Sequence, residues 1–310
     1  MKKVFRFLLK LLAPIGWLYF LGTKIRMKLV LSYRTAVPVI CVGNIMVGGT
    51  GKTPLAVEII RYFQTKGKNP HIISRGYGGR LKNIKIDKNH TAKEVGDEPL
   101  MLSKYTTVWV GANRKNIAKM AIRAGADILV MDDGFQNKSI RKDFSILVFD
   151  GKVGIGNGMG LPIGRLRESL SSGLKRANAV VIVGKDKTKL AKKINKRVPV
   201  FFADVAPEKI PDMRKRYLAF AGIGRPEKFY ESLTNLGTRV IETHSFPDHY
   251  NYKTSDLKRL KNRAEKENLT LITTEKDFVR IPKKFQKDII AFPIKMVFQK
   301  QIFFTLLGRF

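Results

Sequence analysis

The stretch Val47-Gly48-Gly49-Thr50-Gly51-Lys52-Thr53 lies between the apolar run Val39-Ile40-Cys41-Val42 and a helical pattern. A strand, a glycine-rich turn and a helix in that order leave several main-chain N–H groups unpaired at one point, where the helix dipole adds partial positive charge. Such a point binds phosphate. Glycines let the backbone curl around the anion, the Lys52 ammonium can reach the outer phosphates, and the Thr53 hydroxyl is a ligand for Mg²⁺. The helix signals agree: Pro54 sits in the first turn, Leu55, Ile59 and Phe63 recur on one face, and Gly67 marks the end. Gly48, Gly49, Thr50, Gly51, Lys52 and Thr53 are therefore the expected nucleotide contacts. The usual spacing of glycine, four residues, Gly-Lys would place a glycine at position 46, and this chain has Met46 there.

With 310 residues the chain can bury a large core and divides naturally into two domains. Its one cysteine, Cys41, lies within the predicted strand, so neither a disulfide framework nor a paired-thiol metal site is available. Lys+Arg number 59 against 25 Asp+Glu, a formal net charge of +34 that attracts polyanions: nucleic acid, anionic membrane or a phosphorylated substrate. Scattered lysines on solvated faces account for part of it.

The amino terminus bears on that choice. No acidic residue occurs before Glu58, while Lys2, Lys3, Arg6, Lys10, Lys24, Arg26, Lys28 and Arg34 flank the apolar stretch from Leu11 to Leu21. That stretch is interrupted by Pro14 and Gly16 and falls short of the roughly 20 residues a bilayer span needs. Residues 1–35 therefore read as a monotopic interfacial segment, with Trp17, Tyr19 and Phe20 at headgroup depth and the basic residues on anionic lipid. An uncleaved anchor and an ordinary capping helix are the competing readings.

Beyond the loop, apolar runs alternate with helical patterns: His71-Ile72-Ile73, Val108-Trp109-Val110, Ile128 to Met131, Phe144 to Phe149 and Ala179 to Val183. Runs that do not alternate with polar residues are what a parallel sheet covered on both faces requires. The expected fold is α/β: a P-loop-type, mostly parallel sheet sandwiched by helices, with a second, smaller α/β lobe. The domains expected are the interfacial segment 1–35, a P-loop domain over 36–205 with 295–310 as a candidate completion, and a smaller lobe over 206–294. Val200-Phe201-Phe202 and Ile289 to Pro293 read as extended crossings between the lobes.

Asp132 and Asp133 end the Ile128–Met131 strand at the carboxyl edge of the sheet, where nucleotide sites of such folds lie and where Mg²⁺ is to be held. Neighbours on a strand point to opposite faces, so unless the chain turns at Asp132 only one of the pair ligates directly. Asp97, in Gly96-Asp97-Glu98-Pro99, is either a helix-capping residue or a base. His71 and His90 read as structural, and His249, beside Asp248 and aromatics, as a weak functional signal. Arg75, Arg114, Arg165 and Arg167 are candidate phosphate clamps, and Gln136 closes the Asp132–Gln136 turn.

Together the segments Val42 to Asn44, the loop through Pro54, Ser74 to Gly79, Gly96 to Pro99, Asp132 to Gln136, Leu166 to Glu168, Phe220 to Pro226, Phe246 to His249 and Thr273 to Asp277 resemble the tetraacyldisaccharide 4'-kinases of lipid A biosynthesis. The segments span nearly the whole chain, and Met46 in place of glycine fits that family's own loop. The resemblance implies an ATP- and Mg²⁺-dependent kinase on the cytoplasmic face of the bacterial inner membrane. Its acceptor would be the 4'-hydroxyl of a tetraacylated glucosamine disaccharide 1-phosphate. It further implies that Lys52 and Thr53 serve the phosphates and metal, and that Asp132 and Asp133 bind or position the metal. Asp97 would be the base, assisted by His249 from the other lobe. Arg75, Arg114, Arg165, Arg167 and Gln136 are candidate substrate contacts from the reading of the residues themselves. The implied partners are the acylated disaccharide phosphate and the anionic membrane surface, with no nucleic acid and no obligate protein. A run rich in glycine at Gly158-Met159-Gly160-Leu161 departs from the family's pattern.

A membrane-associated switch ATPase of the partition type is the main rival, but those loops carry a lysine where this chain has Val47. Deleting residues 1–22 is expected to raise the KM for lipid acceptor on vesicles far more than the KM for ATP; equal effects on both would contradict an interfacial role.

Overall fold

A computed structural model of the chain describes residues 22, 30–194, 198–299 and 301–310. The expected interfacial segment lies outside the described residues apart from 22 and 30–35. From there the chain lays down β1 (Val39–Gly43), β2 (Pro70–Ser74), β3 (Ile84–Lys85), β4 (Val108–Val110), β5 (Ile128–Asp132), β6 (Phe144–Asp150), β7 (Ala179–Val183) and β8 (Val200–Pro207). It then builds β9 (Arg216–Ala221), β10 (Arg239–Ser245), β11 (Thr270–Thr274) and β12 (Ile289–Phe292), and finishes with β13 (Ile294–Phe298).

Among the described residues, nine strands form one sheet in the order β13-β8-β7-β6-β1-β5-β2-β4-β3, and four form another in the order β10-β9-β11-β12. The larger sheet is parallel except where β3 pairs with β4 and β13 with β8, both at its edges. The smaller sheet is parallel throughout.

Why the central runs are apolar without alternation is visible in their packing. In β1, Ile40 and Val42 enter one core while Val39 and Cys41 enter the other, and β5 divides Ile128 and Val130 from Leu129 and Met131 in the same way. With a side-chain period of two, a strand covered on both faces needs an apolar residue at every position. Helix α1 (Lys52–Thr65) covers the first face through Leu55, Ile59 and Phe63, joined by Phe303 and Leu307 from the chain's end. Helix α2 (Arg114–Arg123) covers the second through Ile117, Ala118 and Ala121. The smaller sheet is sandwiched likewise, α3 (Pro226–Asn235) packing Phe229 and Leu233 on one face and α4 (Thr254–Lys266) packing Leu257 and Leu260 on the other.

Two expectations change. Val200-Phe201-Phe202 is not a crossing but the start of β8, with Val200 opposite Val180 and Phe202 opposite Ile182. The Ile289–Phe292 run is β12, paired with β11. Their aromatic and β-branched residues satisfy strand packing before any linker role. The passages between the sheets are instead 208–215 and Pro293, joined by a hydrogen bond from Glu208 N–H to the Pro293 carbonyl of 2.9 Å.

Phe303 is fully buried and stacks on Phe298 with ring centroids 4.3 Å apart. Phe303→Ala is expected to cost about 3–5 kcal/mol in denaturant unfolding; a loss below about 1 kcal/mol would show that the end of the chain is not part of the larger core.

Candidate active site

The glycine-rich loop is held from below. Gly43 ends β1, and a Cβ there would stand 2.5 Å from Phe135 Cβ, so only glycine lets the turn after β5 lie against β1. Met46 is buried and bridges Leu166, while Val47 N–H donates to Arg165 O at 2.8 Å and Arg167 N–H to Ile45 O at 2.7 Å. A strap over 165–167 thus pins the chain just before the loop, and Met46 is its anchor in the core. The Thr50 hydroxyl accepts from Asn44 Nδ2 at 3.2 Å, which turns the side chain inward and leaves its main-chain amide as the group it can offer a phosphate. Beside Gly48 and Gly49 the space a Cβ would occupy is open, and the first turn of α1 carries no acidic residue. An anion at that helix start meets no carboxylate from the helix itself.

Across from the loop stands the carboxylate pair. Asp132 shares the strand face of Ile128 and Val130, the face α1 covers. Asp133 has φ 51°, so the chain turns immediately after Asp132. Asp133 Oδ1 lies 3.6 Å from Lys52 Nζ and its Oδ2 3.4 Å from Arg167 Nη1. Burial, then the charges of Glu98 and Asp133, push Asp132 up to about 7, with Lys52 and Lys276 pulling the other way. Asp132 Oδ1 and Asp133 Oδ1 are buried without a hydrogen-bond partner among the described residues. Two orphaned carboxylate oxygens, with the Thr53 hydroxyl at the start of α1, are the hard oxygen donors Mg²⁺ prefers. No group of three or more His, Cys, Asp and Glu that could hold a metal occurs among the described residues. Mg²⁺ fits that pattern, since it is typically held by one or two carboxylates, with water and substrate phosphates completing its shell.

Gln136 braces the turn: its Nε2 donates to Asn44 O at 2.7 Å and to Glu168 Oε1 at 3.0 Å, and its Oε1 accepts from Arg167 Nη1 at 3.4 Å. The other candidate arginines are placed differently. Arg114 is buried and donates to Gly111 O, and burial followed by the charge of Arg75 pushes its guanidinium down to about 10, still protonated at neutral pH. The Arg75 and Arg165 side chains are exposed, and Arg165 meets the loop only through its carbonyl.

Asp97 and His249, 152 residues apart, come together across the two lobes with His249 Nδ1 2.9 Å from Asp97 Oδ2. Gly96 makes this possible: its φ is 93°, and a Cβ would stand 2.5 Å from Tyr77 O. Burial alone would raise Asp97, but the His249 hydrogen bond with the charges of Lys276, His249 and Arg280 bring it below its ordinary value. His249 is raised, chiefly by that same hydrogen bond, against burial and Lys276. A depressed carboxyl stabilises above its unfolded value, and a raised imidazole below its own. The cross-lobe pair is therefore strongest between the ordinary values of 3.8 and 6.5, weakening as pH falls through the Asp97 value or rises through that of His249.

His249 sits on a small-lobe turn that is itself fixed. Its N–H donates to Gly222 O at 3.0 Å, the same carbonyl takes Arg280 Nη2 at 2.9 Å, and Arg280 pairs with the fully buried Asp277 at 2.5 Å. Sequence reading missed further cross-lobe contacts, among them Arg225 and Lys228 on Asp150 at 2.5 and 2.6 Å, Arg225 on Gly49 O at 3.0 Å, and Lys276 on Glu98 at 2.9 Å. The available signal was position, since Asp150 ends β6 and Lys276 follows β11, both at carboxyl edges of parallel strands.

Residues 8–310 match the family model described as Tetraacyldisaccharide-1-P 4'-kinase. The chain belongs to the Tetraacyldisaccharide-1-P 4'-kinase family. It is 47% identical over 278 residues to the Tetraacyldisaccharide 4'-kinase of Parvibaculum lavamentivorans, covering 88% of this chain and 81% of that one. It is 40% identical over 309 residues to that of Rhodospirillum rubrum, covering 97% and 93%. A crystal structure of LpxK from Aquifex aeolicus in complex with ATP superposes with a TM-score of 0.81 at 27% identity, covering 97% of this chain and 99% of that one.

Arg280→Met would strand the buried Asp277 carboxylate and is expected to cost about 3–5 kcal/mol in chemical denaturation; a loss below about 1 kcal/mol would contradict the network drawn around His249.

Proposed function

We infer that this member of the Tetraacyldisaccharide-1-P 4'-kinase family transfers the γ-phosphoryl group of ATP to the 4'-hydroxyl of a tetraacylated glucosamine disaccharide 1-phosphate, and we propose the residue roles that follow. The main-chain amides of 48–53 cradle the triphosphate, and Lys52 reaches its outer oxygens. Asp132, Asp133 and Thr53 would hold Mg²⁺, which would offset charge on the triphosphate. Asp97 receives the proton of the 4'-hydroxyl as the new O–P bond forms and the bond to the β–γ bridging oxygen breaks. In a loose phosphoryl transfer the proton leaves late, so a carboxylate below its ordinary value serves without being a strong base. His249 orients that carboxylate and keeps it ionised.

The observation that carries this reading is the Asp97–His249 contact at 2.9 Å across the cleft, with Glu98 beside Asp97 near enough for its charge to act on Asp132. A site divided between two lobes closes around its substrates and shuts out water, which favours transfer over hydrolysis. Exposing the acceptor's acyl chains costs about 0.8 kcal/mol per CH₂, so the enzyme works at a membrane surface and takes up only the sugar. The basic amino-terminal residues supply that docking on the cytoplasmic face of the inner membrane. Among the described residues no helix is long and apolar enough to cross a membrane.

Labelled ATP, Mg²⁺ and the tetraacyl disaccharide 1-phosphate in detergent test the reaction directly: label is expected on the lipid, while release of free phosphate alone would favour a switch ATPase. In the same assay His249→Ala removes the hydrogen bond that keeps Asp97 low while leaving its burial. The acid limb of the kcat/KM profile is expected to move to higher pH. An unmoved limb would detach His249 from the base.

A further inference from the structure

The Thr273–Asp277 motif contributes a lysine to the cleft that none of the roles above uses. Lys276 sits on the short turn after β11, at the carboxyl edge of the smaller sheet, and reaches across to the larger lobe, where its Nζ lies 2.9 Å from Glu98 Oε1. Glu98 follows Asp97 directly, and Arg280 from the same turn as Lys276 comes within 3.9 Å of Asp97 Oδ2. The ammonium is thus carried to the side of the proposed base. It also acts on the metal carboxylates, since its charge stabilises the ionised form of Asp132. An ammonium has three donors, and Glu98 is the one acceptor it has among the described residues.

We propose that Lys276 is a catalytic residue that contacts the γ-phosphoryl group during transfer, between the acceptor held by Asp97 and the triphosphate held by the loop. This rests on the assignment of Asp97 as the base. The transferring group carries negative charge on three equatorial oxygens, and a cation fixed in a cleft closed to water stabilises that charge more than the same cation does in the ground state. Lys52, beside Asp133 at 3.6 Å, serves from the larger lobe. Lys276 serves from the smaller one and arrives only when the lobes meet. The charges around it are Glu98, Asp97 and Asp248, which raise it against burial, together with His249 opposite. The lysine therefore remains an ammonium, and the coupling makes phosphoryl transfer conditional on closure.

The test is steady-state kinetics on the full chain with Lys276→Met and Lys276→Arg, alongside binding of Mg²⁺·ADP with and without aluminium fluoride and acceptor. Lys276→Met is expected to lower kcat by about 10²- to 10³-fold with both KM values changed less than about threefold, and Lys276→Arg to recover at least about a tenth of the activity. Affinity for the aluminium fluoride complex is expected to fall with kcat while affinity for ADP alone holds. A kcat within about threefold of the parent, or KM values for ATP and lipid rising together while the aluminium fluoride complex binds unchanged, overturns the proposal and leaves Lys276 a strut between lobes. Should Lys276→Met melt early, the same comparison is read on Lys276→Arg, where selective weakening of the aluminium fluoride complex supports the role and unchanged binding overturns it. Asp97→Ala run in parallel separates the two claims. If that variant stays active the base assignment fails, whereas an inactive Asp97→Ala beside an unimpaired Lys276→Met defeats the lysine alone.

Discussion

The hydrogen-bonding contact of His249 Nδ1 with Asp97 Oδ2, 2.9 Å long, joins two separately cored lobes at the proposed reaction centre. The larger sheet presents its carboxyl edge with the loop, Asp132 and Asp150, and the smaller sheet presents its own with His249 and Lys276. Neither edge holds a complete reaction centre. The proposed phosphate donors and metal carboxylates lie on one side, along with the proposed base Asp97, while His249, Lys276 and Arg280, which act on Asp97, come from the other. Among the other cross-lobe contacts, those of Asp150 with Arg225 and Lys228 and of Glu98 with Lys276 join opposite charges. Partly exposed pairs of this kind add little stability individually, so their value lies in fixing register between the edges.

The charge distribution fits this division. A net charge of +34 makes the chain attractive to polyanions as a whole, and both ATP and an acylated disaccharide phosphate are polyanionic. Carboxylates are scarce, yet Asp97, Glu98, Asp132, Asp133, Asp150 and Glu168 gather around the cleft, five of them with a cation or an imidazole within 4 Å, while the charge of Lys52 favours the ionised form of Asp132. In so basic a protein, acidic residues at strand ends mark where charge must be balanced locally for chemistry rather than for solubility.

Much of this was legible in the sequence because its signals are local. Glycine, lysine and threonine between an apolar run and a helical period fix the loop and α1, and unbroken apolar runs announce strands covered on both faces. Asp132 was legible as the last residue of such a run. Met46 was not, since only its burial in the core beside Leu166 explains why a large apolar side chain serves where the usual spacing has glycine. Strands β8 and β12 read as crossings because proline follows each run closely, although the prolines end the strands rather than exclude them. The Asp97–His249 contact lies beyond any local pattern, at a separation of 152 residues. The family resemblance suggested it, and the fold supplies the reason it forms: a glycine at 96 that lets the turn at Tyr77 close against the chain beside Asp97.

The central claim is that base, phosphate loop and small-lobe cations address one phosphoryl group. A crystal structure with Mg²⁺, a non-hydrolysable ATP analogue and the acceptor's sugar headgroup tests it most directly. The triphosphate is expected on the amides of 48–53 and the 4'-oxygen within hydrogen-bond reach, about 2.6–3.2 Å, of the Asp97 carboxylate. A triphosphate seated away from the loop, or a sugar hydroxyl remote from Asp97 with both ligands bound, would contradict it.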